Sequence, residues 1–160
     1  MTDTDETDRS PAGAALTDLI LTLFRVNNLT LAWGDRLVAP FGLTSARWQI
    51  LGAIVYAEQP RPVAWLARDL GANRQNVQRI VNDLHREGLV EFAPNPHHRR
   101  AQLVILTEKG KRAYVAALNR YYPKADALAD GLSEAEIRAA HRVMTVLRER
   151  LEQEAGNGTP

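Results

Sequence analysis

Residues 62–106 read PVAWLARDLGANRQNVQRIVNDLHREGLVEFAPNPHHRRAQLVIL, and this stretch decides the fold of the chain. Its apolar spacing, its glycine stops and its alternating flanks predict two helices and two strands. In order, they are a helix over Pro62–Leu70, a helix over Asn73–Glu87, a strand over Leu89–Phe92 and a strand over Gln102–Leu106. A helix-turn-helix followed by a hairpin with a basic tip is a winged helix, an arrangement that mainly holds double-stranded DNA.

The second of these helices carries the functional prediction. Asn73 is a good N-cap, because its side-chain oxygen can accept hydrogen bonds from the free amides of the first turn. An apolar stripe at helical spacing is formed by Val77, Ile80, Val81 and Leu84. The opposite face carries side chains that can pair with base edges, namely Arg74, Gln75, Asn76, Gln78, Arg79 and Asn82. Taken alone, this pattern fits an ordinary amphipathic surface helix equally well.

The stretch, extended to Gly110, resembles the DNA-binding core of the MarR family of bacterial transcription regulators. The resemblance rests on Leu66-Ala67 with Leu70-Gly71, on Glu87-Gly88-Leu89-Val90 and on the run Leu106–Gly110, and it reaches more loosely from Leu16 to Leu151. It implies a homodimer that binds a palindromic, inverted-repeat operator. In many members of the family a small aromatic ligand releases the DNA.

The loop Pro94–Arg100 is the expected wing. A narrow minor groove has a strongly negative potential that attracts inserted Arg. The family's usual wing pattern, Asp-x-Arg, reads His98, Arg99 and Arg100 here, so the resemblance makes Arg100 the groove residue and leaves the orienting Asp replaced. We therefore expect DNA affinity to rise as the pH falls from ~8 to ~6, where histidines gain charge.

The expected DNA contacts divide into base readers and phosphate contacts. Arg74, Gln75, Asn76 and Gln78 are expected to read bases, whereas Arg68, Arg79 and Arg99 are expected to contact phosphates. The whole set of expected DNA-binding residues is Arg68, Asn73, Arg74, Gln75, Asn76, Gln78, Arg79, His97, His98, Arg99 and Arg100.

Composition sets bounds on the function. The chain has 160 residues, 45% hydrophobic and 24% charged, as in one globular domain. The net charge is only +1, but residues 61–112 hold ten Lys/Arg and five Asp/Glu, a local +5 that leaves −4 for the rest. Such asymmetry suits a protein that meets phosphate with one face. No apolar run could span a bilayer, and the acidic N-terminus is no signal peptide, so a cytoplasmic protein without membrane contact is expected.

The expected architecture is mainly α with a small β-hairpin, a winged helix-turn-helix core with long N- and C-terminal dimerisation helices. A disordered tail is expected over residues 1–12, dimerisation helices over 13–39 and 109–155, the DNA-binding lobe over 44–107 and a tail over 156–160. The expected dimer interface consists of Leu16, Ile20, Ile137, Ala140, Met144, Leu147 and Leu151. Asn27 and Gly34 interrupt the first apolar stripe. This interruption fits a partner surface or a pocket wall, and it fits an imperfect core stripe equally well. Pro123 is expected to kink or divide its helix.

The resemblance also implies a ligand pocket between the dimer helices and the DNA-binding lobe. Trp33, Phe41, Arg47 and Trp48 are the residues that would line it, with Arg47 facing a carboxylate or phenolate. The same aromatic residues would serve equally well as hinge packing.

Three functions compete on the sequence. A dimeric DNA-binding regulator, with repression as the expected output, is favoured by the polar helix face and the wing. A winged helix used as a protein–protein module is the alternative, because a fold does not fix its use. An enzyme is disfavoured: there is no cysteine, no glycine-rich phosphate loop and no cofactor motif. His97 and His98, with His85 and His141, fit no common metal-ligand spacing, so no metal is expected either.

Overall fold

The computed structural model describes residues 9–157 and shows helices with one small antiparallel sheet. This confirms the fold class that the sequence predicts. The elements, in chain order, are α1 (Pro11–Val38), a 3₁₀ helix (Ala39–Phe41), α2 (Ser45–Tyr56), β1 (Arg61–Pro62), α3 (Val63–Asp69), α4 (Arg74–Arg86), β2 (Val90–Ala93), β3 (Leu103–Leu106), α5 (Glu108–Ala129) and α6 (Glu134–Asn157). Within residues 9–157 no helix is long and apolar enough to cross a membrane.

The chain divides into two compact units, residues 1–120 and residues 121–160. The first unit holds α1, the winged helix and the start of α5, so α1 groups with the winged helix. Its core is built from fully buried apolar side chains of the helices and the sheet: Val38, Ile50, Leu51, Leu66, Val77, Val81, Leu84, Val90 and Val104. The second unit holds the end of α5 and α6.

Helix α1 begins two residues before the predicted start. The Ser10 side chain accepts a hydrogen bond from the Gly13 amide at 3.0 Å, and Pro11 occupies the first helical position, where its missing N–H costs nothing. The predicted tail over residues 1–12 is therefore too long at its end, and its first eight residues lie outside the described part of the chain. At the other terminus α6 includes residues 156 and 157, which the sequence assigned to a tail.

Helices α1 and α2 cross closely where Gly34 meets Ser45. A Cβ at position 34 would lie only 2.4 Å from the Ser45 hydroxyl oxygen, so any larger residue there would force that hydroxyl out of its position. Ser45 donates from its hydroxyl to the Leu31 carbonyl at 2.7 Å and from its amide to an Asp35 carboxylate oxygen at 2.6 Å. Gly34 thus permits a helix crossing within the chain, while Asn27 is exposed.

The sheet has three strands in the order β1-β3-β2, all antiparallel. The sequence predicts only the hairpin of β2 and β3. Pro62, predicted to open the following helix, instead belongs to β1 and pairs with Leu103. The prediction is wrong because an edge strand tolerates a residue without an N–H, and two residues are too few to show alternation.

Helix α5 runs unbroken from Glu108 to Ala129 with Pro123 inside it. Of the two effects expected of Pro123, division of the helix is therefore wrong, and a kink stays a prediction. A proline removes only one backbone hydrogen bond and leaves the bonds of the neighbouring turns in place, so a long helix can continue through it at a cost in stability.

A capping box begins α6, as the sequence predicts. The Ser133 amide donates to a Glu136 carboxylate oxygen at 2.8 Å, and the Glu136 amide donates to the Ser133 hydroxyl at 3.2 Å. Because the Ser133 hydroxyl and amide both donate to this carboxylate, the pKa of Glu136 lies below its ordinary value. The cap therefore operates with Glu136 ionised.

Candidate nucleic-acid interface

Helix α4 is defined at both ends by its own sequence. At its start, the Asn73 side-chain oxygen accepts hydrogen bonds from the amides of Gln75 at 2.9 Å and Asn76 at 3.1 Å. At its end, Gly88 has φ +73°, and the Leu89 amide folds back onto the Leu84 carbonyl at 2.9 Å. This is a Schellman arrangement, which needs a residue that adopts the left-handed conformation without strain. Both predicted caps are confirmed.

The two faces of α4 differ as the sequence predicts. The apolar stripe is buried, with Val77, Ile80, Val81 and Leu84 each at most 7% exposed. The polar residues at the start of the helix point outward: Arg74, Gln75, Asn76, Arg79 and Asn82 are exposed, and Gln78 is half-buried. The helix therefore presents a continuous row of donors and acceptors over a fixed apolar base, which is the arrangement that base readout requires.

Contacts within α4 organise part of this polar row. Arg79 donates to the Asn76 side-chain oxygen at 2.9 Å and lies 3.8 Å from Asp83. Gln78 donates to the Asn82 side-chain oxygen at 3.0 Å. Arg74 and Gln75 lie at the first turn of the helix, where the amides and the helix dipole favour contact with an anion.

The wing loop consists of two consecutive β-turns. The first is closed by the His98 amide, which donates to the Asn95 carbonyl at 3.3 Å. The second is closed by the Ala101 amide, which donates to the His98 carbonyl at 3.0 Å. Arg99 and Arg100 are the two central residues of the second turn, so the backbone places both arginines at the tip.

A cleft of about 180 Å³ separates the start of α4 from the wing. Arg74, Gln78 and Asn82 line it from the helix, and Arg100 and Gln102 line it from the wing. The structure thus brings together Arg74 and Arg100, two cations that the sequence places in different elements. Two guanidinium groups on the walls of one polar cleft suit a phosphodiester.

The remaining predicted DNA residues lie outside this cleft. Arg68 is exposed on α3, while His97, His98 and Arg99 are exposed on the wing. Asn73 caps the helix, so its side-chain oxygen already accepts hydrogen bonds from two backbone amides. Sequence reasoning missed Gln102 as a cleft residue. It included Asn95 in the wing but gave it no role, although the Asn-Pro dipeptide at the start of the loop is a signal for a turn.

Arg47 forms contacts within the chain. Its guanidinium group forms a paired salt bridge with the Glu87 carboxylate, at 2.6 and 2.9 Å, and also donates to the Gly42 carbonyl at 3.1 Å. Glu87 thus supplies a carboxylate to Arg47 within the chain, and the expectation that Arg47 faces a ligand carboxylate stays a prediction. Arg47 ties the corner before α2 to the end of α4.

Two apolar cavities border Tyr114 on α5. The larger, of about 480 Å³, lies against β3 and is lined by side chains such as Ile54, Val55 and Val115. The smaller, of about 390 Å³, is lined by Trp48, Gly52, Tyr56, Tyr114 and Leu118, among others. Of the four residues expected to bind a ligand, only Trp48 lines either cavity; Trp33 and Phe41 are half-buried elsewhere.

The predicted dimer residues differ in exposure within the single chain. Leu16, Ile20, Met144 and Leu147 are half-buried, whereas Ile137, Ala140 and Leu151 are exposed. Other apolar side chains of α1, outside the predicted dimer set, are more exposed: Leu21 at 51%, Phe24 at 63%, Val26 at 50% and Leu29 at 71%. The single chain therefore leaves these apolar side chains of α1 accessible to solvent.

Comparison with other proteins is consistent with this geometry. A model of the MarR family matches residues 41–101. An uncharacterized protein of Mycobacterium tuberculosis is 37% identical over 121 residues, which are 76% of this chain and 83% of that protein. The transcriptional activatory protein BadR of Rhodopseudomonas palustris is 32% identical over 98 residues, which are 60% of this chain and 56% of BadR.

Solved structures with low sequence identity share the fold. The M. tuberculosis transcriptional regulator MosR, solved in complex with DNA, has a TM-score of 0.68 at 22% identity, and the match covers 82% of this chain and 96% of MosR. CouR of Rhodococcus jostii, solved with p-coumaroyl-CoA, has a TM-score of 0.71 at 22% identity, and the match covers 81% of this chain and 91% of CouR. The chain belongs to the MarR family of winged helix-turn-helix transcription regulators.

Proposed function

We propose that this regulator binds double-stranded DNA sequence-specifically, as a homodimer on an inverted-repeat operator. The observation that carries the proposal is the cleft shared by Arg74 of α4 and Arg100 of the wing. A phosphate held in this cleft would fix α4 in the major groove and the wing tip over the neighbouring minor groove. DNA complexes of family members with the same fold, such as that of MosR, support this arrangement.

Base readout belongs to the exposed first turns of α4. Arg74, Gln75, Asn76 and Gln78 are the proposed readers, since Arg can pair with guanine and Asn or Gln with adenine. Asn76 and Gln78 now bond to neighbours on the same helix, and on the operator they would exchange those partners for base edges. Such exchange favours a matched sequence, because an unmatched base would leave the broken bonds unreplaced.

The homodimer is the second part of the proposal. Leu21, Phe24 and Leu29 expose much of their apolar surface on α1, and α6 contains no fully buried side chain among its described residues. A second copy of the chain is the proposed cover for these surfaces. Two-fold symmetry would then set two copies of α4 about 34 Å apart, one turn of the duplex.

An effector site is the third part of the proposal. The 390 Å³ cavity beside Trp48 has the size and the aromatic lining of a site for a small aromatic molecule. The CouR complex with p-coumaroyl-CoA supports an effector of aromatic character. A panel of aromatic acids should quench the fluorescence of the wild-type protein and quench a Trp48→Phe variant less. Equal quenching of both proteins would show that the effector does not bind in this cavity.

Repression is the proposed output, and the cytoplasm the proposed location. A dimer that occupies an operator inside a promoter excludes the polymerase, whereas BadR is described as an activatory protein. A reporter driven by the bound promoter, measured with and without the regulator, determines the sign of control.

The decisive experiment selects bound sequences from a random duplex library and measures the mass of the free protein by light scattering. We expect an inverted-repeat consensus, a dimer mass and a loss of affinity when one half-site is scrambled. A monomer, or equal affinity for all sequences, would reject the proposal and favour a winged helix that binds proteins.

A further inference from the structure

The wing tip is strongly basic and carries no apolar anchor. Among residues 94–100 only Asn95 is half-buried, and the other six are exposed. No carboxylate within residues 9–157 forms an ion pair with Arg99 or Arg100. Adjacent guanidinium groups repel each other, so a tip of this composition needs a neutral element that holds its shape.

Asn95 supplies that element through both ends of its side-chain amide. Its oxygen accepts a hydrogen bond from the His97 amide at 3.0 Å, which shapes the first turn. Its nitrogen donates to the Ala101 carbonyl at 2.9 Å, which bridges the loop from its start to its finish. The bridge therefore encloses both β-turns, and the second of these turns carries Arg99 and Arg100.

We infer that Asn95 is the positioning residue that holds Arg100 for insertion into the minor groove. The inference rests on the proposed function and deepens it, because it names the residue that does the work of the Asp replaced by His98. Asn95 makes no contact with DNA in this account. It acts by reducing the number of loop conformations, so that less conformational freedom is lost when Arg100 binds.

A double-mutant cycle tests this coupling. Operator affinity is measured by fluorescence anisotropy for the wild type, Asn95→Ala, Arg100→Ala and the double variant. We expect each single variant to bind about 10-fold more weakly, as the loss of about 1.4 kcal/mol would give, and the double variant to bind no more than about 20-fold more weakly. Hydroxyl-radical footprints of Asn95→Ala should lose minor-groove protection beside each half-site while protection at the centre of each half-site remains.

Two further variants control for general structural damage. Asn119→Ala removes an exposed Asn from α5 and should leave affinity unchanged. Asn95→Asp keeps the acceptor for His97 but replaces the donor to Ala101 by an oxygen, so it should bind as weakly as Asn95→Ala. Thermal unfolding of Asn95→Ala should match the wild type within a few degrees, because surface-loop changes are small on the scale of whole-domain stability.

Three results would overturn the inference. They are wild-type affinity in Asn95→Ala, a roughly 100-fold loss in the double variant that shows independent action, and a footprint that weakens equally beside each half-site and at its centre. Failure of the wild-type protein itself to bind any operator would instead reject the proposed function, so the two failures are distinguishable.

Discussion

Gly110 should be among the positions least tolerant of substitution. A Cβ there would lie 2.0 Å from the Leu89 carbonyl oxygen and 3.0 Å from its carbonyl carbon. Ordinary contact begins at 3.4 Å, so in Gly110→Ala the start of α5 and the end of α4 must separate by about 1.4 Å. The cost is high because the clash is with backbone, which cannot rotate away as the end of a side chain can.

The expected magnitude follows from what that separation breaks. The Thr107 amide donates to the Leu89 carbonyl at 3.2 Å, and the Thr107 hydroxyl donates to the Gly88 carbonyl at 2.7 Å. Two lost hydrogen bonds cost about 2 kcal/mol and the strain of overpacking about 2 kcal/mol more. Alanine has a higher helix propensity than glycine and stabilises α5 by about 1 kcal/mol, so we expect the free energy of unfolding to fall by about 3 kcal/mol.

Urea unfolding followed by circular dichroism measures this loss, at matched protein concentration because a dimer's stability depends on it. Gly52→Ala is the matched control. The atoms nearest to a Cβ at position 52 belong to the Tyr114 side chain and lie at an ordinary contact distance of 3.6 Å, so this variant should be unchanged or up to about 1 kcal/mol more stable. If Gly110→Ala were as stable as the wild type, or if both variants lost stability equally, the reasoning from the close approach of Gly110 to Leu89 would be refuted.

Further predictions concern the interface and the cap of α6. Arg74→Ala should weaken operator binding about 10-fold and relax the sequence preference at one base pair. Arg68→Ala should instead weaken binding to all sequences and lower the dependence of log affinity on log salt concentration by about one. If anisotropy titrations gave the reverse pattern, Arg68 would be the base reader and Arg74 the phosphate contact. Operator affinity should rise as the pH falls from ~8 to ~6, and replacement of both His97 and His98 by Gln should abolish this rise. A wild-type operator affinity that does not change over this pH range would contradict the prediction. The folded-state pKa of Glu136 is lowered, so its contribution to stability is present above its ordinary pKa and is lost as the pH falls through the lowered value. Glu136→Ala should therefore reduce the melting temperature most at neutral pH and progressively less as the solution is acidified, and a loss that does not change with pH would refute the ionised cap.

Much of the winged helix could be predicted from the sequence because its signals are local. The caps of α4 depend on Asn73 and Gly88 themselves, and its buried face follows a period that four residues reveal. The capping box of α6 is likewise contained in four consecutive residues. Local hydrogen bonding and periodicity leave a direct record in the sequence.

The missed features depend on residues far apart in the chain. Arg47 and Glu87 are 40 positions apart, and neither residue type indicates the other. Strand β1 forms only through its pairing with Leu103 and Val104 of β3. The clustering of Arg74 with Arg100 likewise depends on how the hairpin folds over α4. These features arise from tertiary packing, which overrides local preference.

Helix α1 is long, so a small change in the angle at which it crosses α2 moves its far end by a large distance. From Gly34 to Pro11 the helix rises about 35 Å, so a change of about 5° in the crossing angle would move its far end by about 3 Å. That displacement is close to the ~3.4 Å rise of one base pair. With no Cβ at position 34 and a hydroxyl at position 45, the angle is set by contact between backbone and side chain. In the proposed dimer, small residues at this one crossing would therefore affect which spacing of operator half-sites two copies of the chain can bind.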